Sequence, residues 1–187
     1  LGLIRTKVIA ILLGPFGVGL ISIYQSVIDM MRTAFTAGLD TAGVKEIASA
    51  NNLQNKDNLD RIISGFNKCF KTFAVLALLV SVSLCYPISI WAFGNGDNAL
   101  YIVLLSTGIV FLILATGKST VLQGLRRIPE IAKAAIIASI LSLIVTIPIY
   151  YIWRIDGIIP SLIANNAIYL ICIEYYYRKQ KIKNKKI

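Results

Sequence analysis

The sequence contains no histidine, only nine acidic residues and only three cysteines in 187 positions. Without imidazole there is no Ser-His or Cys-His nucleophile pair, no histidine metal site and no histidine proton shuttle. Cys69, Cys85 and Cys172 stand far apart and form no CxxC pair, and two of them fall inside apolar runs. They read as small buried hydrophobes, so no metal, no cofactor and no disulfide scaffold is expected. Charged residues make up 15% of the chain, against about a quarter in a soluble domain. That scarcity, beside 57% hydrophobic residues and a mean hydropathy of +0.74, excludes a disordered or fibrous chain and points to a membrane protein.

Four apolar segments approach the roughly 20 helical residues that a bilayer requires. They are Thr72 to Phe93, Ala99 to Gly117, Ala134 to Trp153, and Gly157 to about Ile173, and none contains Lys or Arg. Aromatic residues gather at their ends: Trp91 and Phe93, Tyr101, Tyr150, Tyr151 and Trp153, then Tyr175 to Tyr177. Rings of that kind collect at headgroup level, with the apolar body buried and the polar edge wet. Leu1 to Leu13 reads as the last part of a further spanning helix, because 13 residues cover only about 20 Å. The turn signal Gly14-Pro15-Phe16-Gly17 follows, and another long apolar helix is predicted from about Val18 to Ala42. A signal peptide is not expected, since no A-x-A pattern precedes a soluble domain. The expected fold is an all-α, polytopic membrane helix bundle of about six transmembrane helices over residues 1–177, the first truncated. Residues 178–187 would form a basic tail or linker.

Nineteen Lys and Arg give a formal charge of +10 and a pI near 9.7. In a soluble protein this excess would indicate nucleic acid; here its distribution says otherwise. Five basic residues lie in 45–71, four in 118–133 and six in the tail RKQKIKNKKI, whereas the alternate connections carry only Arg154. By the positive-inside tendency, the basic loops and tail are cytoplasmic. The charge is accounted for by topology and anionic-lipid attraction, and no nucleic-acid partner is expected. A cysteine placed at Asn98 should therefore react with an impermeant thiol reagent from outside, and one at Asn55 should not; the reverse labelling would overturn the topology. Between these loops, the stretch Glu46 to Asn67 is predicted to be a helical extension with an amphipathic part lying against the membrane face.

Three basic residues are left over: Arg5, Lys7 and Arg32, all inside predicted membrane helices together with Asp29 and Asp40. Each such charge costs roughly 2.5–3.5 kcal/mol to insert and usually faces a cavity or a partner. Ser22, Gln25, Asp29, Arg32, Thr36 and Asp40 follow one another at steps of three or four, which places them on one helical face. One reading is an Asp29–Arg32 pair that neutralises itself between packed helices. The other is a water-filled interior to which Arg5 and Lys7 add positive charge, suited to an anionic or pyrophosphate-bearing substrate. Pro87 and Pro148 interrupt predicted helices, as in transporters that rock between two states and equally in static bundles. Asn165 and Asn166 fit interhelical hydrogen bonding better than ligand binding.

The stretches KVIAILLGPFGVGL (Lys7 to Leu20), TAGVKEIASANN (Thr41 to Asn52), VLQGLRRIPEIAKAAIIAS (Val121 to Ser139) and RIDGIIPSLIANN (Arg154 to Asn166) resemble bacterial polysaccharide flippases. These are the O-antigen and capsule type translocases of the multidrug/oligosaccharidyl-lipid/polysaccharide exporter superfamily, and the resemblance covers nearly the whole chain. It implies a transporter of two six-helix bundles around a central cavity, of which this chain is mainly the first, so that a second half is expected as partner. It also implies the cargo, an undecaprenyl-pyrophosphate-linked oligosaccharide moved from the cytoplasmic to the periplasmic leaflet of the inner membrane for lipopolysaccharide or capsule synthesis. On that likeness Arg5, Lys7 and Arg32 would meet pyrophosphate or acidic sugars, with Gln25 beside them, while Asp29 and Asp40 would tune the cavity or couple an ion. No bond chemistry is implied. A multidrug or cation exporter of the same superfamily would prefer an acidic cavity. A membrane enzyme of lipid-linked sugar assembly would need larger outer loops than Gly14 to Phe16 and Gly94 to Asn98 provide, and a purely structural subunit would not need the polar stripe.

Overall fold

A computed structural model describes residues 2–36, 38–52, 56–93 and 99–185, excluding the side chains of 2–6, 8, 52, 56–57, 92–93, 99 and 180–185. Its elements are α1 (Gly2–Thr36), α2 (Leu39–Asn52), α3 (Lys56–Ser83), α4 (Cys85–Phe93), α5 (Ala99–Gly124), α6 (Ile128–Trp153), a 3-10 turn (Arg154–Gly157) and α7 (Ile158–Lys185). No strand occurs among the described residues. Four helical stretches are long and apolar enough to cross a membrane: Ile9–Thr36, Asn58–Ser83, Leu100–Gly124 and Ile128–Lys179. The last comprises α6 and α7, each about 40 Å long at helical rise, so either one alone exceeds a hydrocarbon core of about 30 Å. Outward-facing Ile11, Leu79, Ile144, Ile152 and Ile171 are all more than half exposed. Such a surface would aggregate in water and is the expected exterior in lipid. The chain is an all-α membrane helix bundle.

The bundle is organised around α5, which touches α1, α2, α3, α4, α6 and α7. Leu105, Ile109 and Ile113 of α5 form the principal core with Tyr24 and Ile28 of α1, Phe70, Ala74 and Ala77 of α3, and Ile158 and Leu162 of α7. Small residues permit the closest approaches, since helices in lipid gain from van der Waals fit rather than from a hydrophobic drive. A Cβ added at Gly117 would stand 2.7 Å from Cγ of Phe70, and one at Gly124 would stand 2.6 Å from Cβ of Ile47. The buried face of α6 repeats every four residues through Ala134, Ala138, Ser142, Thr146 and Tyr150. Hydrogen bonds pin it to α7: Ser142 Oγ donates to Asn165 Oδ1 at 2.7 Å, and Ser161 Oγ donates to Tyr150 Oη at 2.6 Å. Asn166 Nδ2 donates to the Gly108 carbonyl of α5 at 3.3 Å. Both asparagines therefore serve helix–helix contacts.

Several boundaries differ from those expected. The turn expected at 14–17 is a break at Gly14 (φ 69°, ψ −177°) within α1, followed at once by Pro15. The helix expected to reach Ala42 stops at Thr36, because Gly38 takes φ 86° and starts a new turn, with Ala42 N donating to its carbonyl. The segment expected at 72–93 is divided between α3 and α4 at Leu84. Pro87 has no N–H for the Ser83 carbonyl, and the helix breaks at the position where that bond is missing. Pro148, by contrast, leaves α6 continuous.

The apolar side of the amphipathic stretch packs on the bundle itself. Leu59, Ile62, Ile63 and Phe66 pack on Ile47, Val121 and Tyr177, covering one end of the bundle. No proline separates 56 from 83, and Gly65 remains helical, so the polar turns continue directly into the apolar ones as α3. Likewise α7 carries its helix through most of the basic tail, to Lys185.

Candidate functional site

The second part of α1 presents three faces. Tyr24, Ile28, Met31 and Phe35 form the seam against the core. Ile23 and Met30 are exposed apolar residues on another side. Gln25, Asp29, Arg32 and Thr36 each follow a seam residue by one position, which rotates them about 100° away from it. Ser22, Ser26 and Thr33 extend this third, polar face, and all three are exposed. The polar stripe is thus exposed at Ser22, Ser26, Asp29 and Thr33, partly covered at Gln25 and Arg32, and buried at Thr36, where it meets the bundle.

The geometry separates residues that the sequence grouped together. Gln25 Nε2 donates to Asp29 Oδ2 at 3.3 Å, a long contact within one turn. Asp29 is exposed and forms no ion pair with Arg32 among the described residues. Self-neutralisation of the two charges is therefore not what the structure shows. Arg32 is half-buried, and its Nε is sealed from solvent without a hydrogen-bond partner among the described residues. Leaving such a donor unpaired costs about 1–3 kcal/mol, more when charged.

Asp40 requires a correction. It does not share α1 with Arg32; the break at Gly38 places it in the first turn of α2. There the unpaired N–H groups of the helix start favour a carboxylate. Its Oδ1 is buried and has no hydrogen-bond partner among the described residues. Ending α1 at Thr36 also puts Arg32 one turn from the helix terminus, not ten residues inside it. Lys7, in the first part of α1, is exposed. Arg5 lies in the same helix, and its side chain is outside the described residues. Of the six expected site residues, only Gln25 and Asp29 are in polar contact with one another among the described side chains.

No group of three or more His, Cys, Asp or Glu capable of holding a metal occurs among the described residues. One charged residue was passed over in the sequence: Glu174, which pairs with Lys118 at 3.2 Å and Arg178 at 2.8 Å. The signal for it was its spacing of four from Arg178 on a helix.

Comparison with known proteins finds curated relatives. The chain is 27% identical over 162 residues to the Lipid III flippase of Escherichia coli (strain K12). It resembles a lipid flippase. The match takes in 83% of the chain and 36% of that protein, and the Lipid III flippase of Shigella flexneri matches with the same figures. The chain thus spans little more than a third of the length of the curated relatives it matches. No family model matches it, and no solved structure does. The likeness over most of the chain supports a flippase family and a multi-pass membrane protein.

Proposed function

We propose that this chain forms part of a flippase that carries a lipid-linked oligosaccharide across a bilayer. The observation that carries the reading is Arg32, a half-buried cation with an unsatisfied Nε on a polar helix face that is otherwise exposed at Ser22, Ser26, Asp29 and Thr33. A wall of that character belongs to a cavity closed from the other side by a second bundle, and the matched relatives are long enough to contain one. In the fuller form of the reading, the cargo is an undecaprenyl-pyrophosphate-linked repeat unit. It moves from the cytoplasmic to the periplasmic leaflet of the bacterial inner membrane, for O-antigen or capsule synthesis.

The physical task is to lower the cost of a charged headgroup that hydrocarbon would strand, not to make or break bonds. Arg32, with Lys7 and Arg5 on the other side of the Gly14 break in α1, supplies positive charge to offset the pyrophosphate. Arginine's planar fork can hold two phosphate oxygens at once. Asp29, tethered to Gln25, and Asp40, at the start of α2, are the carboxylates placed to tune that charge or to couple an ion gradient.

Lipid mass spectrometry after depleting the protein in its host tests this. Accumulation of complete undecaprenyl-pyrophosphate-linked oligosaccharide with loss of surface polysaccharide is expected. Short, incomplete lipid-linked sugars would instead assign an assembly enzyme. An unchanged lipid pool would refute the substrate class and direct the test to drug or ion export.

A further inference from the structure

Away from the α1 stripe, a cavity of about 350 Å³ lies between α3, α5 and α7, lined by Ser64, Asn67, Lys68, Lys71, Lys118, Glu174, Tyr177 and Arg178. Four cations meet a single carboxylate there. Lys68 and Lys71 are the last charges before the apolar part of α3, Lys118 is the first after that of α5, and Glu174 and Arg178 follow that of α7. The cavity therefore sits where three membrane helices change together from apolar to charged, the pattern expected at headgroup level. Tyr175, 62% exposed and edge-on to Tyr176 at 5.4 Å, marks the same level as an interfacial aromatic.

The arrangement is organised beyond what topology requires. Glu174 holds Lys118 and Arg178 on its two oxygens, at 3.2 and 2.8 Å. Lys118 Nζ also stands 4.2 Å from the centroid of the Tyr177 ring, whose hydroxyl accepts from Asn67 Nδ2 at 2.9 Å. Two cations are thus fixed in advance, which removes part of the ordering cost of binding. Lys68 and Lys71, an i,i+3 pair on the face of α3 that carries Ser64, have no ion pair among the described residues. A positive-inside bias explains the sign of these charges. It does not explain their convergence on a cavity of the size of small-molecule sites, or a carboxylate that pairs with two of the cations and leaves the other two open.

We infer that this pocket binds the phosphate of an anionic membrane-lipid headgroup, with Lys68 and Lys71 supplying the free charge and Lys118 and Arg178 the fixed donors. The inference does not rest on the flippase reading, because it concerns bilayer lipid and not cargo. The test is native mass spectrometry of the purified protein with phosphatidylglycerol or phosphatidylcholine, in the presence and absence of inorganic phosphate. Phosphatidylglycerol should be retained preferentially. Lys68→Gln with Lys71→Gln should weaken its binding about tenfold or more, each lysine near an anionic surface being worth a several-fold change. Arg126→Gln with Arg127→Gln, which removes equal charge outside the pocket, should leave binding nearly unchanged. Equal weakening by the two double variants, or equal retention of both lipids, would overturn the inference. Displacement of phosphatidylglycerol by millimolar inorganic phosphate would overturn the lipid assignment and give the pocket to free phosphate.

Discussion

Replacing Arg32 with alanine in the protein in its host is expected to lower surface polysaccharide by about ten- to hundredfold, with the protein present in the membrane at normal level. A hydrogen bond to a charged group is worth about 1.5–3 kcal/mol, and Arg32 brings a half-buried guanidinium whose Nε has no partner among the described residues to satisfy it. Removing the side chain costs the fold little of that sum, because no ion pair within the described chain is broken. Arg32→Lys separates charge from geometry. A lysine retains the cation and loses the fork, so partial recovery is expected if pyrophosphate is gripped by two oxygens, and full recovery if charge alone suffices. Wild-type polysaccharide in Arg32→Ala at normal expression would remove Arg32 from substrate recognition.

The second large effect is structural. Gly124→Val should destabilise the bundle, because its Cβ would stand 2.6 Å from Cβ and 2.7 Å from Cγ2 of the fully buried Ile47. Those are not the far ends of a flexible side chain, so α2 or α5 must shift as a body. Overpacking of this kind costs about 1–3 kcal/mol. Gly65→Ala is the control: nothing lies within 4 Å of its added Cβ, and alanine gains up to about 1 kcal/mol of helix propensity over glycine. Thermal unfolding of the purified protein should show a lower midpoint for Gly124→Val and an equal or higher one for Gly65→Ala. Adding Ile47→Ala to Gly124→Val should return part of the loss by reopening the space. An unchanged midpoint for Gly124→Val alone would mean that the α2–α5 contact does not define the packing.

Much of the architecture was legible because bilayer physics writes long signals. An apolar run of some 20 residues can be read without knowing its neighbours, and so the spans within α3, α5, α6 and α7 are found in the sequence. Helix ends are harder, being decided by single residues. Nothing local marks Gly38 rather than Gly43 as the stop of α1; Gly43 instead remains helical within α2, where a Cβ would meet Thr120 at 2.9 Å and Phe66 at 3.0 Å. Asp40 was misplaced for that reason alone. The end of α3 at Ser83, by contrast, could be counted back four residues from Pro87.

The polar face of α1 came directly from spacing, since side chains three and four apart share a helix face whatever surrounds them. Which of its members would be paired did not. Asp29 and Arg32 stand at a pairing distance in sequence, yet Asp29 is held by Gln25 and Arg32 is turned toward the edge of the core. The cluster around Glu174 lay further out of reach, because Asn67, Lys118 and Tyr177 are brought together from three helices.

The sequence by itself determined that this chain is a helical membrane bundle, which segments are apolar enough to lie in lipid, and that its excess positive charge collects between those segments. Each of these is a property of one stretch against one solvent. Only the tertiary structure decided that α5 is the centre, that the apolar side of the amphipathic stretch packs on Ile47, Val121 and Tyr177, and that Lys68, Lys71, Lys118 and Arg178 share one pocket. Those outcomes depend on fit and on polar contacts between residues as much as 110 positions apart, and neither is encoded in local spacing.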